Sequence, residues 1–237
     1  MNQPINVQTY ARIAGVLFLL TLVAGGFGEG YVPSKFIVSA DAAATVANIK
    51  GSEFIFRLGF AGFLIESLCD VTLALIFYVL LRPVSKNVSL LAAFLGVIST
   101  AVFAATELFC FMALHLSGNA GYLKSFSPDQ LNTLALLSLK FYTVGGAIFS
   151  AYYGLAWILR GYLMYRSGYF PKFLAILMGI GGLGFFARNF LLILAPAYAP
   201  GLLLMLMFPG GLLLTGWLLV KGVDVAKWEA RLATSAT

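Results

Sequence analysis

The chain has 237 residues, 61% hydrophobic and 10% charged, with a mean hydropathy of +0.94 and a net charge of +6. Soluble domains carry about 25% charged residues, so this composition excludes a water-soluble globular protein, and bases scattered along the whole chain exclude a nucleic-acid footprint. Cys69 and Cys110 lie inside apolar runs and His115 is the single histidine, a pattern that implies no disulfide framework, no metal site and no cofactor.

Six apolar segments approach or exceed the roughly 20 residues that cross a bilayer. The first covers about residues 10–28. Its weakly charged start and lack of a convincing small-x-small site argue against a cleaved leader. "SADAAATVANIKGS" then reads as a short loop helix capped by Ser39 or Asp41 and closed by Gly51. The second span covers about 54–81 and the third about 88–115. "SPDQ" opens the fourth, about 128–159, with Ser127 and Gln130 as a capping box and Pro128 at the first helical position. The fifth, about 173–194, follows a tyrosine-rich and basic hairpin, "GYLMYRSGYFPK", that suits an aromatic belt and headgroup contacts. "APAYAPG" turns the chain into the sixth span, about 201–220, which Pro209 breaks or kinks. The remainder is a polar tail with Trp228 and Leu232 on one side, suited to an interface.

The expected fold is therefore an all-α, polytopic transmembrane bundle of six spans. Residues 1–221 form the membrane domain and 222–237 the interfacial tail. Arg12, Arg82, Lys86, Arg160, Arg166, Lys172, Lys221, Lys227 and Arg231 share the side of the termini, against Lys35, Lys50 and Lys124 opposite. That bias predicts cytoplasmic termini, N-in and C-in.

Charge inside a span is costly, and it normally faces the bundle interior or a cavity. At 1.5 Å per residue, Asp70 lies roughly 15 Å from the cytoplasmic end of its helix and Glu66 roughly 20 Å. Glu107 comes to roughly 25 Å, Lys140 to roughly 15–20 Å and Arg188 to roughly 20–25 Å. Glu66, Cys69 and Asp70 share a helical face. The other three lie on stripes of small or hydroxyl residues: Thr100–Ala104–Glu107–Cys110, Lys140–Thr143–Ala147–Gly154 and Gly181–Gly184–Arg188. Such faces pack against other helices, so Glu66, Asp70, Glu107, Lys140 and Arg188 are expected to converge as ligand-binding or proton-relay groups. Glu29 and Arg57 are outer-rim candidates, with Arg57 expected either to snorkel or to pair with Glu29 or Glu53. His115 is expected at an interface, and Tyr142, Tyr152 and Tyr153 as packing or belt residues.

Three stretches carry a resemblance: "DAAATVANI", "FRLGFAGFLIESLCDVTLALIFYVLLRPVSKNVSLLAAF" and "GYLMYRSGYFPKFLAIL". Their combination, with Arg57–Leu58–Gly59, Cys69–Asp70, Leu81–Arg82–Pro83 and Tyr165–Arg166–Ser167–Gly168, resembles the bacterial membrane-protein family called domain of unknown function 4386. The resemblance implies a helical bundle in the bacterial cytoplasmic membrane and no activity. It places a histidine in the fourth span of many members, where this chain has Ala156, so no histidine chemistry carries over.

Three functions fit the charged layer. The first is binding or transport of a small polar or amphipathic ligand, with membrane lipids as the other partner. The second is an accessory or structural subunit whose charges are ion pairs. The third is an intramembrane enzyme using carboxylates as acid and base. The absence of a metal cluster, a nucleophile elbow and a nucleotide loop weighs against the enzyme.

Overall fold

The computed structural model describes residues 6–234. Those residues form helices joined by short turns, with no strand among them. α1 (Val7–Gly25) runs through a π-helical stretch (Gly26–Tyr31) into α2 (Val32–Phe36). α3 (Ala42–Gly51), α4 (Glu53–Leu81) and α5 (Lys86–Leu116) follow, then a 3-10 turn (Gly121–Ser125), α6 (Pro128–Ser167) and α7 (Lys172–Leu194). A second 3-10 turn (Pro196–Tyr198) leads to α8 (Leu202–Met205), α9 (Met207–Val220) and α10 (Val225–Thr234). Six stretches are long and apolar enough to cross a membrane: Val7–Phe36, Glu53–Leu81, Lys86–Leu116, Pro128–Ser167, Lys172–Leu194 and Leu202–Val220. The protein is a polytopic transmembrane helical bundle.

Local chemistry explains the boundaries. Ser127 Oγ accepts from the Gln130 amide at 3.3 Å while Gln130 Oε1 accepts from the Ser127 amide at 2.8 Å, the reciprocal capping box opening α6. Asp41, rather than Ser39, caps α3 by accepting from the Ala44 amide at 2.8 Å. Gly51 is the last residue of α3 and Ser52 its C-cap. α6 runs eight residues past the expected end at Leu159, so Arg160 lies within the helix rather than in a loop. The interruption of the last span falls at Leu206, with Pro209 third in α9. A helical residue bonds the carbonyl four positions back, so Pro209 leaves Met205 without its bond and the break appears there.

The structure divides into two compact units. The first contains the described residues up to Leu20, Cys69–Thr100, and the chain from Ala147 onward. Its α6 and α7 approach backbone to backbone: a Cβ on Gly154 would stand 2.7 Å from the Gly182 carbonyl oxygen, and one on Gly182 2.6 Å from that of Gly154. Close approach of this kind gives membrane helices the dispersion contacts that replace a hydrophobic driving force. The carboxyl end of α4 is closed by this unit. The Tyr78 carbonyl accepts from the Arg82 amide and from Ser89 Oγ, and that of Leu81 from the Val84 amide. Leu80 accepts from the Tyr169 hydroxyl at 2.7 Å and the Trp228 indole at 2.9 Å. Burial pushes the Tyr169 phenol well above its ordinary range, which keeps it a neutral donor. Trp228 is thus 3% exposed, and the tail helix docks on protein through it.

The second unit contains Thr21–Leu68 and Ala101–Gly146. Its core is built by Val32, Phe36, Ile49, Phe56, Leu114 and Leu139, with Phe36 edge-on to Phe56 at 5.5 Å. Arg57 bonds Glu53 at 2.6 Å along the first turn of α4, one of the two pairings expected for it.

Replacing Trp228 by Ala deletes a buried ring and one donor to Leu80. The expected loss is about 3 kcal/mol, read as a lower melting temperature in detergent with earlier protease cleavage of α10. Trp228→Phe keeps most of the buried area and should lose about 1 kcal/mol.

Candidate functional site

Among the described residues each unit holds one buried acid, Asp70 in the first and Glu107 in the second. Glu107 lies on α5 and is 4% exposed. Tyr142 on α6 is the hydroxyl that acts on its carboxylate. Both residues line a cavity of about 10 Å³ with Cys110, Phe56, Phe60 and Gly28 among the walls. That space suits roughly one water molecule. Glu29, exposed in the π-helical stretch, is the acid whose charge acts on Glu107. A π-helical turn widens the backbone and is often found at functional positions. Glu66 lies half-buried with its carboxylate against α1: a Cβ on Gly25 would stand 2.8 Å from Glu66 Oε1. Among the described residues, no lysine or arginine forms an ion pair with Glu107.

The first unit solves a buried acid differently. Asp70 on α4 is 8% exposed and Arg160 on α6 is 3% exposed. Tyr153 lies seven residues before Arg160, hence on nearly the same face of α6. Its hydroxyl acts on the Asp70 carboxyl. The charges of Arg160 and Asp70 act on each other, although the two do not close into a contact ion pair. The guanidinium stacks over the Phe77 ring at 5.4 Å and lies against Gly96, where a Cβ would be 2.7 Å from Nη2. Trp157 packs between Tyr153 and Phe18, at 5.9 and 6.2 Å. A fixed cation, a hydroxyl and an aromatic wall thus enclose Asp70.

The five residues expected to share one layer therefore belong to different units. Asp70 and Arg188 are in the first; Glu66, Glu107 and Lys140 are in the second. Lys140 is exposed, and so is Thr143 beside it, whereas Leu139 is 2% exposed. The buried face of α6 here runs through Ala135, Ser138 and Leu139, which turns Lys140 away from the core. Ala104 on α5 is likewise exposed between the buried Thr100 and Glu107. Arg188 is half-buried and donates to Asn189 Oδ1 at 3.1 Å, while Asn189 donates back to the Phe185 carbonyl at 2.7 Å. His115 is exposed, with Nδ1 3.1 Å from the Phe111 carbonyl oxygen.

Three functional-looking residues escape a reading by composition. Arg160 reads as a loop base because hydropathy falls after Leu159, yet Tyr153, Trp157 and Arg160 repeat at i, i+4 and i+7, the spacing of one helical face. Tyr153 and Tyr142 read as packing residues and their rings do pack, on Phe149 and on Phe103 respectively, and the hydroxyl of each also acts on a buried carboxylate. The signal available was the coincidence of a tyrosine in one span with an acid in another, which spacing alone does not pair.

Residues 13–222 match the family described as "Domain of unknown function (DUF4386)". An uncharacterized protein of Archaeoglobus fulgidus is 32% identical over 161 residues, covering 68% of this chain and 82% of that protein. No solved structure matches the chain.

Asp70→Asn and Arg160→Met should each cost about 2–3 kcal/mol, because each leaves the other group buried without its countercharge. The double replacement should cost about 1 kcal/mol less than the sum. Thermal unfolding of the four proteins of this cycle measures the difference; additive losses would mean that the two groups do not act on each other.

Proposed function

We propose that this chain, which belongs to the DUF4386 family, binds or transports a small polar or amphipathic ligand, with Glu107 as the carboxylate that holds its proton or cationic group. The observation that supports this reading is a carboxylate 4% exposed, lining a cavity beside Tyr142. A buried carboxylate is stable only with a countercharge or a proton. The charge that acts on Glu107 is that of another acid, Glu29, which supports a cation rather than an anion as the occupant. The cavity's size limits what sits there to a proton-bearing water or the ammonium head of a longer amine. Phe56, Phe60 and Tyr142 offer aromatic faces of the kind that attract such a head.

Asp70, Tyr153 and Arg160 support a different role for the first unit, that of holding helices together. A buried guanidinium acts on this acid and offsets its charge from within the chain. The accessory reading thus draws support from Asp70 and the binding reading from Glu107.

The lysine and arginine bias supports a further part of the proposal: location in the cytoplasmic membrane with both termini inside. Reporter fusions after Thr237 and in the loop at Asn119 test it. A fluorescent protein should glow at the first site and alkaline phosphatase should act at the second; the reverse pattern overturns the orientation.

The ligand reading is tested by thermal shift with n-alkylamines, n-alkanols and n-alkylcarboxylates of matched length. Amines alone are expected to raise the melting temperature. Glu107→Gln should abolish the rise without unfolding the protein, and Glu53→Gln, outside the cavity lining, should keep it. No rise with any amine, or an equal rise in Glu107→Gln, sinks the reading.

A further inference from the structure

At the end of α9 the chain must reverse at once to carry Trp228 back to Leu80. Gly222 makes that reversal with φ +71°, a left-handed conformation that side chains with a Cβ resist. The amides of Lys221 and Gly222 both donate to the Trp217 carbonyl, at 2.7 and 2.9 Å. Gln8 locks the turn from α1: its Nε2 donates to the Lys221 carbonyl at 2.8 Å, and its Oε1 accepts from the Val223 amide at 3.1 Å. Arg12 donates to the Leu219 carbonyl, a cation at the negative end of a helix. Lys221 is therefore exposed on a backbone that is held from two helices.

The reversal between α6 and α7, where Gly168 has φ +78°, stands opposite. Between the two turns lies a cavity of about 430 Å³, lined by Tyr169, Phe170, Trp217, Lys221, Asp224 and Lys227 among others. This falls in the size range of small-molecule sites. Lys227 bonds Asp224 at 3.0 Å. The hydrogen bonds from Lys227 hold the Asp224 carboxyl below its ordinary range, so the acid stays ionised and offsets Lys227. Among the described residues no acid forms an ion pair with Lys221. The lining thus keeps one uncompensated positive charge, on Lys221.

We propose that this cavity binds the phosphate headgroup of an anionic phospholipid, with Lys221 as its principal cation. The place in the fold argues for a lipid. The cavity opens where two spanning helices, α6 and α9, end, which is the depth at which headgroups lie. On the same α6–α7 hairpin Arg166 lies 5.9 Å from the Tyr162 ring centre and Lys172 5.3 Å from that of Tyr165, the aromatic and basic pairing of a membrane interface. The Trp217 indole N–H is occupied by the Gly222 carbonyl at 2.9 Å, so its ring adds apolar surface beside the charge. A basic residue near the membrane surface attracts anionic lipid. The site is independent of Glu107, and its test stands or falls apart from the amine experiment.

The test uses the full chain in detergent, titrated with phosphatidylglycerol, phosphatidylcholine or inorganic phosphate, with retained lipid counted by native mass spectrometry. Phosphatidylglycerol should be retained and phosphatidylcholine lost, and inorganic phosphate at millimolar level should not displace the bound lipid. Lys221→Gln should weaken retention about fivefold, at an unchanged melting temperature. Lys227→Gln leaves Asp224 as a lone acid in the lining and should weaken it as well. Lys124→Gln, a loss of the same charge in the second unit, should leave retention unchanged. Equal retention of the two lipids overturns the proposal, as does an unaltered Lys221→Gln or an equal loss in Lys124→Gln. Displacement by inorganic phosphate would make the site one for a free anion and overturn the lipid assignment.

Discussion

Hydrocarbon offers no hydrogen bonds, so a membrane protein must satisfy its polar groups from within. The carboxyl end of α4 shows what this imposes. Helix ends leave carbonyls without intrahelical partners; here Tyr78 and Leu81 are served locally by the Arg82 and Val84 amides, while Leu80 is supplied from far along the sequence. Tyr169 reaches Leu80 from 89 residues away and Trp228 from 148. These two bonds fix the α6–α7 hairpin and the tail helix to the same point. The reversal at Gly222, the lock from Gln8 and the cavity around Lys221 follow from that attachment, since α10 must double back to deliver its indole.

The same constraint acts on charge, and the two units meet it in unlike ways. Asp70 receives a buried guanidinium and a tyrosine hydroxyl. Glu107 receives a tyrosine hydroxyl and another acid. The first acid has a buried base acting on it; the second has none in an ion pair among the described residues, and the proposed ligand would bring the positive charge. Two carboxylates that look alike in the sequence therefore have different chemistry, and the difference rests on one residue, Arg160. Its guanidinium is seated over Phe77 and against Gly96.

Much of the fold was legible beforehand. The six spans, the capping box at Ser127 and the short helix after Asp41 each follow from local rules: apolar length, reciprocal hydrogen bonds and N-terminal donors seeking an oxygen. The pairing of Arg57 with Glu53 is also local, four residues apart on one helix. Less of the candidate site was legible. Glu107 and Asp70 stand out as acids among apolar residues, and both are buried. Lys140 stands out for the same reason and is exposed. Arg160 did not stand out at all, because it sits where hydropathy falls.

The reason is physical. In water, an apolar stripe marks the core, since exposed apolar surface is unfavourable. In lipid, the outer face is apolar too, and on α6 Leu137, Phe141 and Val144 are exposed while Leu139 and Phe149 are buried. Periodicity then cannot say which side faces inward, and small or hydroxyl residues are a weak substitute. By itself the sequence determined how many stretches are long and apolar enough to cross, the caps that open α3 and α6, and which residue types are too polar to be there by default. Only the tertiary structure decided which of those polar groups meet: Asp70 with Tyr153 and Arg160, Glu107 with Tyr142, and Leu80 with Tyr169 and Trp228. Those meetings depend on the rotation and depth of whole helices, which packing between backbones sets and which no single helix encodes.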